Sequence, residues 1–231
     1  GEYAAALMQG NKLDPKKKAE LVTKLSGYTG LSETFIDRAD LRIHIQHFVK
    51  EVRRADGKTI GRLDSRFTGT DASDLGSSPD YDPSYSAIQG PYTAAMNHYL
   101  RDELEFEEDR KYEILSGKVN GRWNWASGSS ASYVNVADDL GRAMRQNPHL
   151  QVFVANGYYD LATPFFATEY TVDHLRLPKA TQDNVSMGYY EAGHMMYLHP
   201  PSLEALKKDL EAFYGRSVSV QEDLEPDDGD E

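Results

Sequence analysis

Gln151-Val152-Phe153-Val154-Ala155-Asn156-Gly157-Tyr158-Tyr159-Asp160 is a short apolar run that ends in Asn-Gly and then, three residues on, an acid. Its length and near-continuous hydrophobicity are those of a strand covered on both faces of a mainly parallel sheet. Upstream, 134–145 places Val136, Leu140, Ala143 and Met144 along one side of a helix that Asn147-Pro148 terminates. Downstream, 165–175 has the length of a crossover helix, and Val185-Ser186-Met187-Gly188-Tyr189-Tyr190 reads as a second strand. A last helix over 202–214 sets Leu203, Leu206, Leu210 and Phe213 on one face, with Ser202 as N-cap. Helix, strand, helix, strand, helix predicts an α/β layer architecture with right-handed crossovers.

Residues before about Trp125 read differently, as polar and turn-rich text. A helix is expected over 15–26, with Asp14 as N-cap and Leu21 and Leu25 on one face, and another over 39–54. In the latter, Leu41, Ile45, Phe48, Val49 and Val52 recur at three- and four-residue steps until Asp56-Gly57 breaks the pattern. The stretch 69–87 holds Gly, Ser, Asp and Pro without periodicity and predicts a long loop that covers or binds something if ordered; helix resumes over 92–106. Three regions follow from these shifts: a mainly helical insertion (cap) and connecting region over 1–122, an α/β segment over 123–216, and a disordered acidic tail over 217–231.

Composition narrows the function classes. The 231 residues suffice for one large or two small domains. With 25 Lys and Arg against 37 Asp and Glu the net charge is −12, which repels phosphate backbones and anionic headgroups, so neither nucleic acid nor a membrane is an expected partner. No apolar run approaches the roughly 20 residues of a membrane-spanning helix. The absence of Cys excludes disulfides, thiolate metal sites and a cysteine nucleophile. The opening Gly1-Glu2-Tyr3-Ala4-Ala5-Ala6 has neither the charged nor the apolar region of a signal peptide and no initiator Met, so a processed product or a piece of a longer chain is expected.

In open α/β sheets reactive side chains collect at the carboxyl ends of the strands. Two such loops occur, one reaching Asp160 and one running Glu191-Ala192-Gly193-His194-Met195-Met196. An acid followed 34 residues later by a histidine, on successive strand ends, is the order in which an α/β-hydrolase supplies the last two members of a Ser…Asp…His triad. A serine hydroxyl needs an imidazole to take its proton, and the imidazole needs a carboxylate to fix its tautomer and balance its charge. Gly157 and Gly193 are expected to supply unusual backbone angles for the two turns. Taken alone, Asp160 also reads as a turn residue ahead of Thr163-Pro164, and His194 as a packed or surface histidine. His44, His47, His98, His149, His174 and His199 lack matching acid and glycine context, and the helical spacing of His44 and His47 has no third ligand to make a metal site.

The run 152–160 with Thr163-Pro164-Phe165, and Gly193-His194-Met195 after it, resembles the carboxyl-terminal part of the serine carboxypeptidases, the S10 peptidase family, most clearly over 123–214. More loosely, Gly61-Arg62-Leu63-Asp64-Ser65-Arg66-Phe67-Thr68-Gly69 resembles the insertion region of bacterial-type members. The resemblance implies the carboxyl-terminal part of an α/β-hydrolase sheet with a helical cap. It implies Asp160 as triad acid, His194 as general base and Met195 in the pocket for the departing carboxyl-terminal residue. It also implies a peptide substrate cleaved through an acyl-enzyme, no metal or organic cofactor, and a secreted or periplasmic setting.

The family's Gly-Glu-Ser-Tyr-Gly elbow is missing, as are its oxyanion glycines and the Asn and Glu that grip a substrate carboxylate. Gly128-Ser129-Ser130-Ala131-Ser132 comes nearest, but it ends in Ser and follows no adequate strand. The expectation is therefore a hydrolase portion that supplies acid and base and is inert alone. Its partner would be the amino-terminal part of the same enzyme, and the strands left without neighbours would expose an apolar patch. Two other readings stay open: an esterase, lipase or acyltransferase using the same triad, and a non-catalytic module binding a ligand through the 69–87 loop with Tyr81 and Tyr85.

Overall fold

In the computed structural model, which describes residues 1–110, 112–125 and 134–222, helix takes 55% and strand 8%, so the protein is a helix-rich α/β chain with small sheets. Two units pack separately, Gly1–Ala87 and Ile88–Glu231. The 122/123 boundary marks a change of sequence character, whereas the packing boundary follows Ala87.

The first unit is built from α1 (Glu2–Gln9), α2 (Pro15–Thr29), α3 (Glu33–Arg38) and α4 (Ile45–Glu51). Asp14 opens α2 as expected, its carboxylate accepting from the amides of Lys16 and Lys17 at 3.0 and 3.1 Å. Ala6, Leu21, Val22, Leu31, Ile36 and Leu41 form the core. The single helix expected over 39–54 is instead a break followed by α4. Asp40 and Leu41 take left-handed backbone (φ 48° and 63°), and the His44 ring caps α4 by accepting from the Gln46 amide at 3.2 Å. Left-handed geometry costs about 1–2 kcal/mol per residue. Burying Leu41 returns about 1.5–3 kcal/mol, and the Tyr3 hydroxyl adds a bond to the Leu41 carbonyl. Over the two left-handed residues the cost and these gains are of similar size, so the core sustains the break at little net expense.

After α4 come the antiparallel pair β1 (Thr59–Ile60) and β2 (Thr68–Gly69) and then the long loop, which is shorter than expected. It ends where Asp82 caps α5 (Pro83–His98), accepting from the amides of Ser84 and Tyr85 at 3.0 and 3.3 Å. The loop is held both from α4 and the residues after it and by bonds within itself. Lys50, buried in α4, pairs with the buried Asp71 carboxylate and donates to the Ser73 carbonyl at 2.6 Å. Asp71 accepts from the Asp80 amide at 3.2 Å, and Asp80 from the Ala72 amide at 2.8 Å.

The second unit adds α6 (Gly117–Arg122), α7 (Ala137–Gln146), β3 (Val152–Gly157), α8 (Phe165–Asp173), α9 (Lys179–Gln182), β4 (Val185–Tyr190) and α10 (Pro200–Glu222). β3 and β4 pair in parallel with Val152 opposite Val185 and Gly157 opposite Tyr190. Phe153 and Ala155 pack with Tyr190, Ala192 and Met196 against Ala205 and Leu206 of α10, and the Phe153 and Phe213 rings lie 5.7 Å apart. On the alternate face Val152, Val154, Val185 and Met187 are only half-buried. Residues 152–155 of β3, Phe153 and Ala155 included, are thus half-buried rather than fully covered, and among the described residues this sheet has two strands, each with an open edge.

Two expectations for the last helix need correction. It begins at Pro200, since proline is favoured in a helix's first turn, so Ser202 lies inside it and its hydroxyl meets His199 Nδ1 at 2.8 Å. Leu203 is exposed, while Leu206 and Phe213 face the sheet. The helix also runs through 217–222, the first residues assigned to the tail, because nothing there breaks it; 223–231 lie outside the described residues.

Lys50→Ala strands the buried Asp71 charge and is expected to destabilise the chain by about 3–5 kcal/mol in denaturant unfolding. A Lys50→Met, Asp71→Leu double variant is expected to lose much less. Equal losses would contradict a desolvated pair.

Candidate active site

The parallel register brings the two loops together, and backbone bonds extend it past the strands. The Tyr158 amide donates to the Tyr190 carbonyl and the Tyr159 amide to the Ala192 carbonyl, each at 3.0 Å. Gly157 allows this approach. A Cβ there would lie 2.2 Å from the Gly193 carbonyl oxygen and 2.6 Å from that of Ala192. The expectation of unusual backbone angles is corrected: among the described glycines positive φ occurs at Gly10, Gly30 and Gly57, none of them in these loops. The loop glycine at 157 is needed for space, not for handedness.

Asp160 and His194 meet across this gap, with His194 Nδ1 2.8 Å from Asp160 Oδ2. The carboxylate is also the turn residue that its position suggested. Its Oδ1 accepts from the amides of Ala162 and Thr163 at 2.7 and 3.0 Å, and its Oδ2 from the Thr163 hydroxyl at 2.5 Å. One side chain therefore both shapes the turn and meets the imidazole. Burial pushes the Asp160 carboxyl up, but bonds from the Thr163 hydroxyl and amide, from His194 and from the Ala162 amide outweigh it and hold the group below the usual carboxylate range.

Exposure divides the pair: the Asp160 side chain is 4% exposed and that of His194 44%. With the anion hidden and the ring accessible, the imidazole can donate through Nδ1–H and accept a proton at Nε2 from a group outside. His98 also meets a carboxylate, Asp102, but both lie 65% exposed one helical turn apart, the setting of an ordinary surface pair. His44, His174 and His199 make local bonds, such as the cap at His44, whose ring stands edge-on to His47 at 5.6 Å.

Met195 is half-buried and leads into a 3₁₀ turn at Met196–Leu198; of these two neighbouring methionines Met196 is the one packed in the core. Gly128-Ser129-Ser130-Ala131-Ser132 lies outside the described residues. Two residues that the sequence reading did not assign also shape the site. Thr163 binds the acid, and its signal was the Asp-x-x-Thr turn spacing. Buried Asn156 donates to the Gly188 carbonyl at 3.3 Å and so ties β3 to β4 just before the loops. Beside them, Tyr158 stacks on Tyr189 at 5.9 Å with Phe165 edge-on to both, and the Tyr189 hydroxyl donates to Glu169 at 2.6 Å. That bond, with burial, pushes the Tyr189 phenol up to about 12.

Comparison of the chain with protein-family models, with curated proteins and with solved structures finds no match.

Gly157→Ala is expected to cost about 1–3 kcal/mol by forcing the loops apart, read by denaturant unfolding; a neutral result would contradict the close approach. The folded pKa of Asp160 lies below its unfolded value. Its contribution to stability is thus complete above the ordinary carboxylate range and lost as pH falls through the folded value. Asp160→Asn should flatten that part of the acid limb in a pH series of unfolding midpoints. An unaltered limb would count against the bonding described.

Proposed function

We propose that the chain is a portion of a serine carboxypeptidase-like α/β-hydrolase that contributes the triad acid Asp160 and base His194, while the nucleophilic serine comes from another stretch of polypeptide. The observation that carries the reading is the 2.8 Å contact between a buried carboxylate and an accessible imidazole at the ends of two parallel, register-paired strands. The parallel pairing supports the finer assignment to a hydrolase sheet, and so does the sequence resemblance over 123–214.

The chemistry follows from the proton inventory. His194 Nε2 takes the hydroxyl proton as the serine oxygen attacks the last peptide carbonyl. The imidazolium, balanced by Asp160, then returns the proton to the departing amino group. Water repeats the cycle on the acyl-enzyme, and the serine oxygen leaves with the proton that His194 gives back. Met195, next to the base, lines the pocket for the released residue. No step calls for a metal or an organic cofactor. An esterase or acyltransferase would use the same pair with a different acyl acceptor or donor. A binding module would have no need for the carboxylate and ring to lie within hydrogen-bond reach, so that distance favours an enzyme.

The chain alone is expected to leave a blocked dipeptide intact and to take no label from a fluorophosphonate. The protein extended by its upstream coding region is expected to be labelled on one serine and to release the carboxyl-terminal residue. Asp160→Asn in that longer protein should lower kcat on the order of 10⁴-fold. Labelling of a serine within this chain, or an extended protein that neither labels nor hydrolyses, would overturn the proposal.

A further inference from the structure

A carboxylate turns easily about its terminal torsion, whose energy profile is broad and two-fold. In Asp160 the amides of Ala162 and Thr163 hold Oδ1, but amides on one oxygen leave the other free to tilt away from the ring. Oδ2 has two partners on two different segments: the Thr163 hydroxyl at 2.5 Å and His194 Nδ1 at 2.8 Å. The same Thr163 oxygen stands 3.2 Å from His194 Nδ1. The three side chains thus close a small triangle around one nitrogen.

We propose that Thr163 is a positioning residue of this site: its hydroxyl pins Oδ2 of Asp160 against His194 Nδ1 and, through its own oxygen, helps to select the imidazole tautomer that leaves Nε2 bare. The proposal rests on the hydrolase reading, in which the general base needs that tautomer.

A hydroxyl has one proton to give. Spent on Oδ2, it leaves the Thr163 oxygen facing the ring with lone pairs only. Nδ1 then looks at two acceptors, Oδ2 and Oγ1, and a ring nitrogen between two acceptors must carry the proton. The opposite assignment has the hydroxyl donating to a bare Nδ1, and it sets a nitrogen lone pair 2.8 Å from a carboxylate oxygen. The hydroxyl and the carboxylate therefore favour the same tautomer, whose free nitrogen is the one that a general base uses. The hydrogen bond to a carboxylate is of the stronger, charge-assisted kind. It also contributes to the lowered position of the Asp160 carboxyl, so the anion survives to lower pH. Among the described residues His194 is the one titratable side chain bonded to Asp160, and no second ionisable group competes for Oδ2.

The test uses the full chain labelled with ¹⁵N, and reads the His194 ring nitrogens and the Nδ1 proton by NMR in wild type, Thr163→Val, Thr163→Ser and Asp160→Asn. Valine keeps the shape and the residue's amide bond to Oδ1 but removes the hydroxyl; serine restores it. Thr163→Val is expected to speed exchange of the Nδ1 proton with water by roughly tenfold or more and to raise the Asp160 carboxyl titration, while Thr163→Ser stays near wild type. If Thr163→Val matches wild type while Asp160→Asn shifts the tautomer, the role of Thr163 falls and the hydrolase reading stands. If Asp160→Asn also leaves His194 unaltered, there is no acid–base pair, and the hydrolase reading and this proposal fall together. Equal losses in the valine and serine variants would report packing alone and would also overturn it.

Discussion

The close approach of two backbones at Gly157 and Gly193 is the constraint on which the site depends. No side chain fits between them, since any Cβ at 157 would overlap a carbonyl oxygen. Given that contact, parallel pairing carries on beyond the strands through the amides of Tyr158 and Tyr159, and residues 34 positions apart meet at hydrogen-bond distance. The acid and the ring do not pull the loops together. Main-chain bonds worth about 1 kcal/mol net apiece do so, and the polar pair is held on the resulting platform.

The same order holds within the acid loop. Asp160 is nearly inaccessible, a position that would ordinarily favour its neutral form. Four donors reverse that preference, and three of them come from residues only two or three positions away. Local turn chemistry therefore preserves the charge, and the long-range partner uses it. The pairing of carboxylate and ring is complete within this chain.

How far the sequence disclosed this varies with the physics involved. β4 matches its expected span and β3 nearly so, because an apolar run bounded by turn residues has few other uses. Asp160 and His194 were legible as a pair from order and spacing. The break at Asp40 and Leu41 was not, because three- and four-residue spacing is the same for one helix as for two joined by a tight reversal. The start of α5 was hidden by Pro83 and Ser84, which signal a loop as readily as a first helical turn. Half-burial of the β3 aliphatics depends on how many strands flank them, which no local pattern records. Thr163 was written in the sequence as turn grammar, and its nearness to the ring is a fact of the third dimension.

In the first unit, the Lys50–Asp71 contact anchors the polar loop from beneath. Each partner is tolerable indoors only in the company of the other. Drift at these two positions is therefore constrained to be joint: a lineage can discard both charges or keep both. A form that keeps only one of them carries a buried charge without its partner.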